Sequence, residues 1–207
     1  MSSSTYYFPM SLESELYQLL CQDKATYVLA EKSFSCHFTL LDLDPEDLEE
    51  EIEFLVEDFP DIFVTPDVTL HIMKQFEAYM QNPIPEYVML ESYISRQIKA
   101  ALIQFLNASQ GAESELVTSL LYSGSALFDP HLLSSSDFRF LSAQTVQTGA
   151  NLLRDIPPER IFDVPESWQD SNQGMRWDNY TARFFGYWRD LYLEAAERQD
   201  VMLLATS

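Results

Sequence analysis

Residues 201–205 read Val201-Met202-Leu203-Leu204-Ala205, five apolar side chains in a row with no polar residue between them. A run this short and this apolar, following an amphipathic helical pattern, is read as a buried strand. The other end of the chain has a counterpart, Thr5-Tyr6-Tyr7-Phe8-Pro9-Met10, read as a short opening strand. First and last strands are expected to share a small sheet. Most of the sequence between them carries helical spacing, so the expected fold is α+β: one helix-rich domain over residues 1–207. No internal repeat is visible, and no composition shift divides the chain.

Working inward, Ser11 is expected to cap a helix that puts Leu12, Leu16, Leu19 and Leu20 on one face. Residues 25–30 and 34–41 read as strands. In the second, Phe34, Cys36, Phe38 and Leu40 alternate with Ser35, His37 and Thr39. Thr65-Pro66-Asp67 starts a helix with Leu70, Met73, Phe76 and Met80 inward, and Pro83 and Pro85 break it. A long helix is expected over 85–107, on the spacing of Tyr87, Leu90, Ile94, Ile98, Ala101 and Phe105. Beyond Gly111 comes a shorter one carrying Leu116, Leu120 and Leu121. Residues 122–138 read as a loop. Ser142 caps a helix over 143–153 with Val146, Ala150 and Leu153 inward, and Pro157-Pro158 ends it. A loop over 157–175 then leads into a helix over 176–198 with an aromatic stripe: Trp177, Tyr180, Phe184 and Trp188, continued by Leu191 and Ala195.

Composition narrows the classes of function. Of 207 residues, 46% are apolar, enough to bury a core, so global disorder is excluded. The chain carries 33 acids against 12 bases, a formal charge of −21. Direct binding to nucleic acid needs basic contacts to phosphate and is not expected. No apolar run reaches the ~18 residues of a membrane span, and Met1-Ser-Ser-Ser-Thr-Tyr-Tyr lacks the basic start of a signal peptide. Two cysteines, Cys21 and Cys36, are too few for a disulfide scaffold. A cytoplasmic setting is expected.

The charge is uneven. Residues 1–80 hold 17 acids and 3 bases; residues 81–207 hold 16 acids and 9 bases. Between Asp42 and Asp67 there are 12 acids and no base. This is no disordered acidic tail, because Leu48, Ile52, Leu55, Val56 and Phe59 recur at helical spacing within it. Asp44 suits an N-cap, Pro45 the first helical position, and Glu46 and Asp47 the positive end of the helix dipole. The segment therefore reads as a folded helix over about 45–58 with one intensely negative face. Like charges at i, i+4 cost a helix a few tenths of a kcal/mol each, and Glu46–Glu50, Asp47–Glu51, Glu49–Glu53 and Glu53–Glu57 are four such pairs. A solvated face that only maintains solubility is one reading, although mixed charge would serve that as well. The sharper reading is docking: a basic partner relieves the repulsion and is steered by the field. The residues expected at the partner are Asp44, Glu46, Asp47, Glu49, Glu50, Glu53, Glu57, Asp58 and Asp61.

Catalytic motifs are sparse. His37, His71 and His131 show no metal-ligand spacing, and there is no G-x-S-x-G, P-loop or G-x-G-x-x-G. Asp42-Leu43-Asp44 lacks the continuation of a cation loop. Cys36 and His37, adjacent on the expected strand, would point to opposite faces, and Cys36 is read as core. No metal and no cofactor are expected. The alternative to docking is an enzyme of unknown reaction with a site in the 122–138 loop, using His131 with Asp129 or Asp137. Trp168 and Trp177, flanking a polar loop, are further candidates for interface anchors.

Three stretches carry a resemblance: Ser123-Gly-Ser-Ala-Leu-Phe128, Arg139-Phe-Leu-Ser-Ala-Gln-Thr-Val146, and the closing run from Tyr187-Trp-Arg-Asp through Glu194-Ala-Ala-Glu197 to Leu204. With the aromatic opening Tyr6-Tyr7-Phe8, they resemble the YfbM-like family of small bacterial proteins. The likeness covers residues 115–207 and the first 20. It implies a compact mixed α/β domain and a bacterial or phage cytoplasmic setting, brings no reaction, and makes the helical material over about 42–108 an insertion. On the charge pattern, the expected function is an acidic interaction module. Its concrete form is an inhibitor or immunity-type protein that occupies the basic cleft of a nuclease or nucleic-acid-binding protein.

Overall fold

The computed structural model describes residues 3–36, 43–80, 87–106, 112–125, 138–161 and 179–206. In chain order the elements are β1 (Ser4–Met10), α1 (Glu15–Gln22), α2 (Lys24–Cys36), α3 (Pro45–Asp58), α4 (Pro66–Met80), β2 (Val88–Glu91), α5 (Ser92–Phe105), α6 (Ala112–Tyr122), β3 (Phe138–Leu141), α7 (Ala143–Leu153), α8 (Pro158–Ile161), α9 (Asn179–Arg198) and β4 (Val201–Thr206). The fold is α+β and helix-rich, and the terminal strands share its sheet.

The sheet is antiparallel with strand order β2-β1-β4-β3. Its centre is the pairing expected from the two ends of the chain, with Tyr7 opposite Leu204 and Phe8 opposite Leu203. Side chains alternate across the pleat, and both faces are covered. On one face Tyr7, Leu90, Leu141, Met202 and Leu204 pack against α5, α6, α7 and α9. On the other, Tyr6, Phe8, Met10, Phe138, Phe140, Val201, Leu203 and Ala205 pack with α1 to α4. The sheet is thus the middle of three layers. That is why residues 201–205 are uniformly apolar, since a strand buried on both sides has no polar alternation to show.

Several boundaries depart from expectation. Residues 24–36 form α2, not the strands expected over 25–30 and from 34. Ala25, Tyr27, Val28, Leu29, Ala30 and Phe34 are all buried, and a helix buried this far round carries no clear 3.6-residue signature. Asp23 starts it, its carboxylate accepting from the Thr26 N–H at 2.9 Å. Residues 37–41 of the expected second strand lie outside the described residues. Ser14, not Ser11, caps α1, accepting from the Tyr17 N–H at 3.2 Å, and this leaves Leu12 ahead of the helix and exposed. The helix expected over 85–107 loses its start to β2, which pairs with Ser4–Tyr7 of β1. Residues 138–141, expected as the end of a loop and the approach to a helix, are β3, and α8 interrupts the expected 157–175 loop. The helices expected over 45–58, 143–153 and from 66 stand as read, with the caps Asp44 and Ser142 in place.

The end of α6 locks the second layer to the sheet. Its last carbonyls have no helical partner, and three side chains from elsewhere supply the donors. Tyr192 Oη of α9 donates to Leu120 O (2.7 Å), Tyr7 Oη of β1 to Leu121 O (2.8 Å), and Arg139 Nη1 of β3 to Tyr122 O (3.3 Å).

Candidate functional site

Helix α3 holds the candidate surface. Asp44 caps it, its carboxylate accepting from the N–H groups of Glu46 and Asp47, both at 3.1 Å. Ile52 and Leu55 are buried, and Leu48 and Val56 pack at the margin of the same core. This anchors one side of the helix. At about 100° per residue, Glu49, Glu53, Glu46, Glu57, Glu50, Phe54, Asp47 and Asp58 then follow one another round the remaining half of the circumference. All are exposed, as are Asp44 and Asp61 at the two ends.

All nine carboxylates expected at a partner thus lie on the surface, and none has an ion pair among the described residues. Glu51, outside that set, is the acid of α3 that is internally neutralised. It pairs with Lys32 of α2 at 2.5 Å, at the margin between helix and core. Lys32 Nζ also stands 4.0 Å from the centre of the Phe54 ring. One cation so ties α3 to α2 while leaving the outward acids unneutralised.

The surface has an apolar component that sequence reading missed. Phe54 is 44% exposed in the middle of the acidic face. Val64 and Val68, at the turn into α4 and in its first turn, are 66% and 43% exposed. Their signal was present: Phe54 falls out of step with Ile52 and Leu55 and belongs on the outward side. The charge asymmetry of the chain is also an asymmetry of the layers. Helices α1–α4 carry 12 acids and 3 bases, whereas α5–α9 carry 6 of each.

The alternative site is not assembled among the described residues. Asp129, His131 and Asp137 lie outside them, as do His37, Asp42, Trp168 and Trp177. Cys36 is the last residue of α2, so the opposite-face reading of Cys36 and His37 on a strand does not apply. His71 is exposed on α4. Among the described residues no group of three His, Cys, Asp or Glu side chains is placed to hold a metal, and no helix is long and apolar enough to cross a membrane. Comparison with protein-family models, curated proteins and solved structures finds no match, and nothing in it bears on the YfbM-like resemblance.

Proposed function

We propose that this chain is an acidic protein-interaction module whose α3 face docks a basic protein partner. Its concrete role is that of an inhibitor or immunity-type protein that fills the basic cleft of a nuclease or nucleic-acid-binding protein. The observation that carries this reading is the division of labour along α3, where Glu51 is neutralised by Lys32 and the outward acids are left unpaired around Phe54. Carboxylates spaced along one exposed face stand in for phosphates and meet Arg and Lys side chains of the partner. Phe54, exposed among those acids, supplies the apolar contact area that a purely ionic interface lacks. Long-range attraction between a −21 chain and a cationic cleft speeds the encounter.

Competition tests it. A basic partner bound to this chain loses its affinity for a short nucleic-acid duplex, and rising duplex concentration releases the chain. A stable ternary complex of chain, partner and duplex contradicts the reading.

A further inference from the structure

Phe54 of α3 meets a cation of this chain on one flank. There, Lys32 of α2 places Nζ 4.0 Å from the centre of the ring and pairs with Glu51, three residues before Phe54. A ring with a carboxylate one turn away thus already holds one positive charge on this helix.

The other flank repeats the arrangement with two carboxylates. At about 100° per residue, Glu51 lies about 60° to one side of Phe54 round the helix axis, and Glu50 and Glu57 lie about 40° and 60° to the other side. Glu50 is one turn before the ring and Glu57 one turn after it. Both are exposed, and neither has an ion pair among the described residues. The Lys32 flank turns toward the core, because buried Leu55 comes next on that side. The Glu50 and Glu57 flank turns to solvent, because Glu46 and Glu53, both exposed, come next there.

We propose, resting on the docking reading above, that Phe54, Glu50 and Glu57 receive one arginine side chain of the basic partner and select arginine over lysine. A guanidinium is flat. It lies against an aromatic ring while the N–H groups round its edge stay free to reach carboxylates. With Glu50 and Glu57 a turn to either side of Phe54, N–H groups directed opposite ways from one guanidinium both find an oxygen. Such charge-assisted bonds are the stronger kind. A lysine ammonium is compact and strongly hydrated, with no flat face to set against the ring, so it keeps only the attraction common to every cation here. Exposed ion pairs alone contribute little, which makes the ring the source of the discrimination. Glu51 neutralises Lys32, so the first cation does little to repel a second.

Titration calorimetry on the full chain tests this, with a short oligo-arginine peptide and an oligo-lysine peptide of the same length at equal ionic strength. The arginine peptide is expected to bind at least about fivefold tighter. Phe54→Leu is expected to reduce that advantage to about twofold or less while leaving lysine binding nearly unchanged, and Phe54→Tyr to keep it. Glu50→Gln/Glu57→Gln is expected to weaken the arginine peptide at least about threefold more than Glu46→Gln/Glu49→Gln, which removes the same charge elsewhere on α3. All these positions are exposed, and thermal melts verify that each variant is folded. Equal binding of the two peptides, an arginine advantage that survives Phe54→Leu, or equal losses in the two Glu-to-Gln variants overturns the arginine site. Acidic docking still stands in those cases if the Glu-to-Gln changes weaken both peptides. No saturable binding, or binding that no change on α3 weakens, overturns the docking reading as well.

Discussion

Gln199 stands at φ 60°, in the left-handed region, directly after α9. Its N–H donates to Ala196 O (3.1 Å) and that of Asp200 to Ala195 O (2.9 Å), the paired bonds that close a helix on a left-handed residue. A side chain is a burden there, so Gln199→Gly is expected to raise stability by about 0.5–1 kcal/mol in urea unfolding. A different dependence resides in Tyr7 and Tyr192. Both are fully buried, and burial pushes their phenols well above the ordinary tyrosine range. A raised folded pKa means the native state holds its protons where the unfolded chain releases them. The associated stability is therefore intact below about pH 10 and falls as pH rises past it. Alkaline melting curves above pH 10 check this, and Tyr7→Phe is expected to flatten the decline while costing about 1 kcal/mol at neutral pH through the lost bond to Leu121 O.

Among the elements, α6 packs against α7 where α7 carries Gly149. A Cβ there would stand 2.5 Å from Leu120 Cδ2, and Leu120 is fully buried. Gly149→Ala is expected to cost about 1–3 kcal/mol from overpacking, outweighing the roughly 1 kcal/mol that Ala ordinarily gains over Gly in a helix. Chemical unfolding checks it. Elements differ in how legible they were. Helix α3 could be read from residues 44–59 alone, because its cap, first-position proline, dipole charges and apolar stripe are all local. Strands β2 and β3 could not be read. Each has four residues, and their extended form is imposed by β1 and β4, far away in sequence. Residues 87–91 even carry a spacing compatible with the helix that follows. Helix α2 was misread for the opposite reason, because burial almost all round erased its periodicity. The nine carboxylates were legible because charge without a local partner stays outside.

At the scale of the whole molecule, a three-layer fold holds an acid-rich layer apart from a charge-balanced one. Self-repulsion along α3 is screened by salt, so the melting temperature is expected to rise between about 10 mM and 150 mM NaCl, as the Debye length falls from about 30 Å to about 8 Å. Docking of a basic protein on the outward face of α3 is read by capture from host lysate at low salt. The captures compare the wild-type chain with Glu46→Lys/Glu50→Lys/Glu53→Lys/Glu57→Lys, four changes at exposed positions, with the fold of the variant verified by circular dichroism. One basic protein is expected to be retained by the wild type, released at moderate salt in a gradient, and absent from the variant's eluate. The same proteins retained by both chains would contradict it.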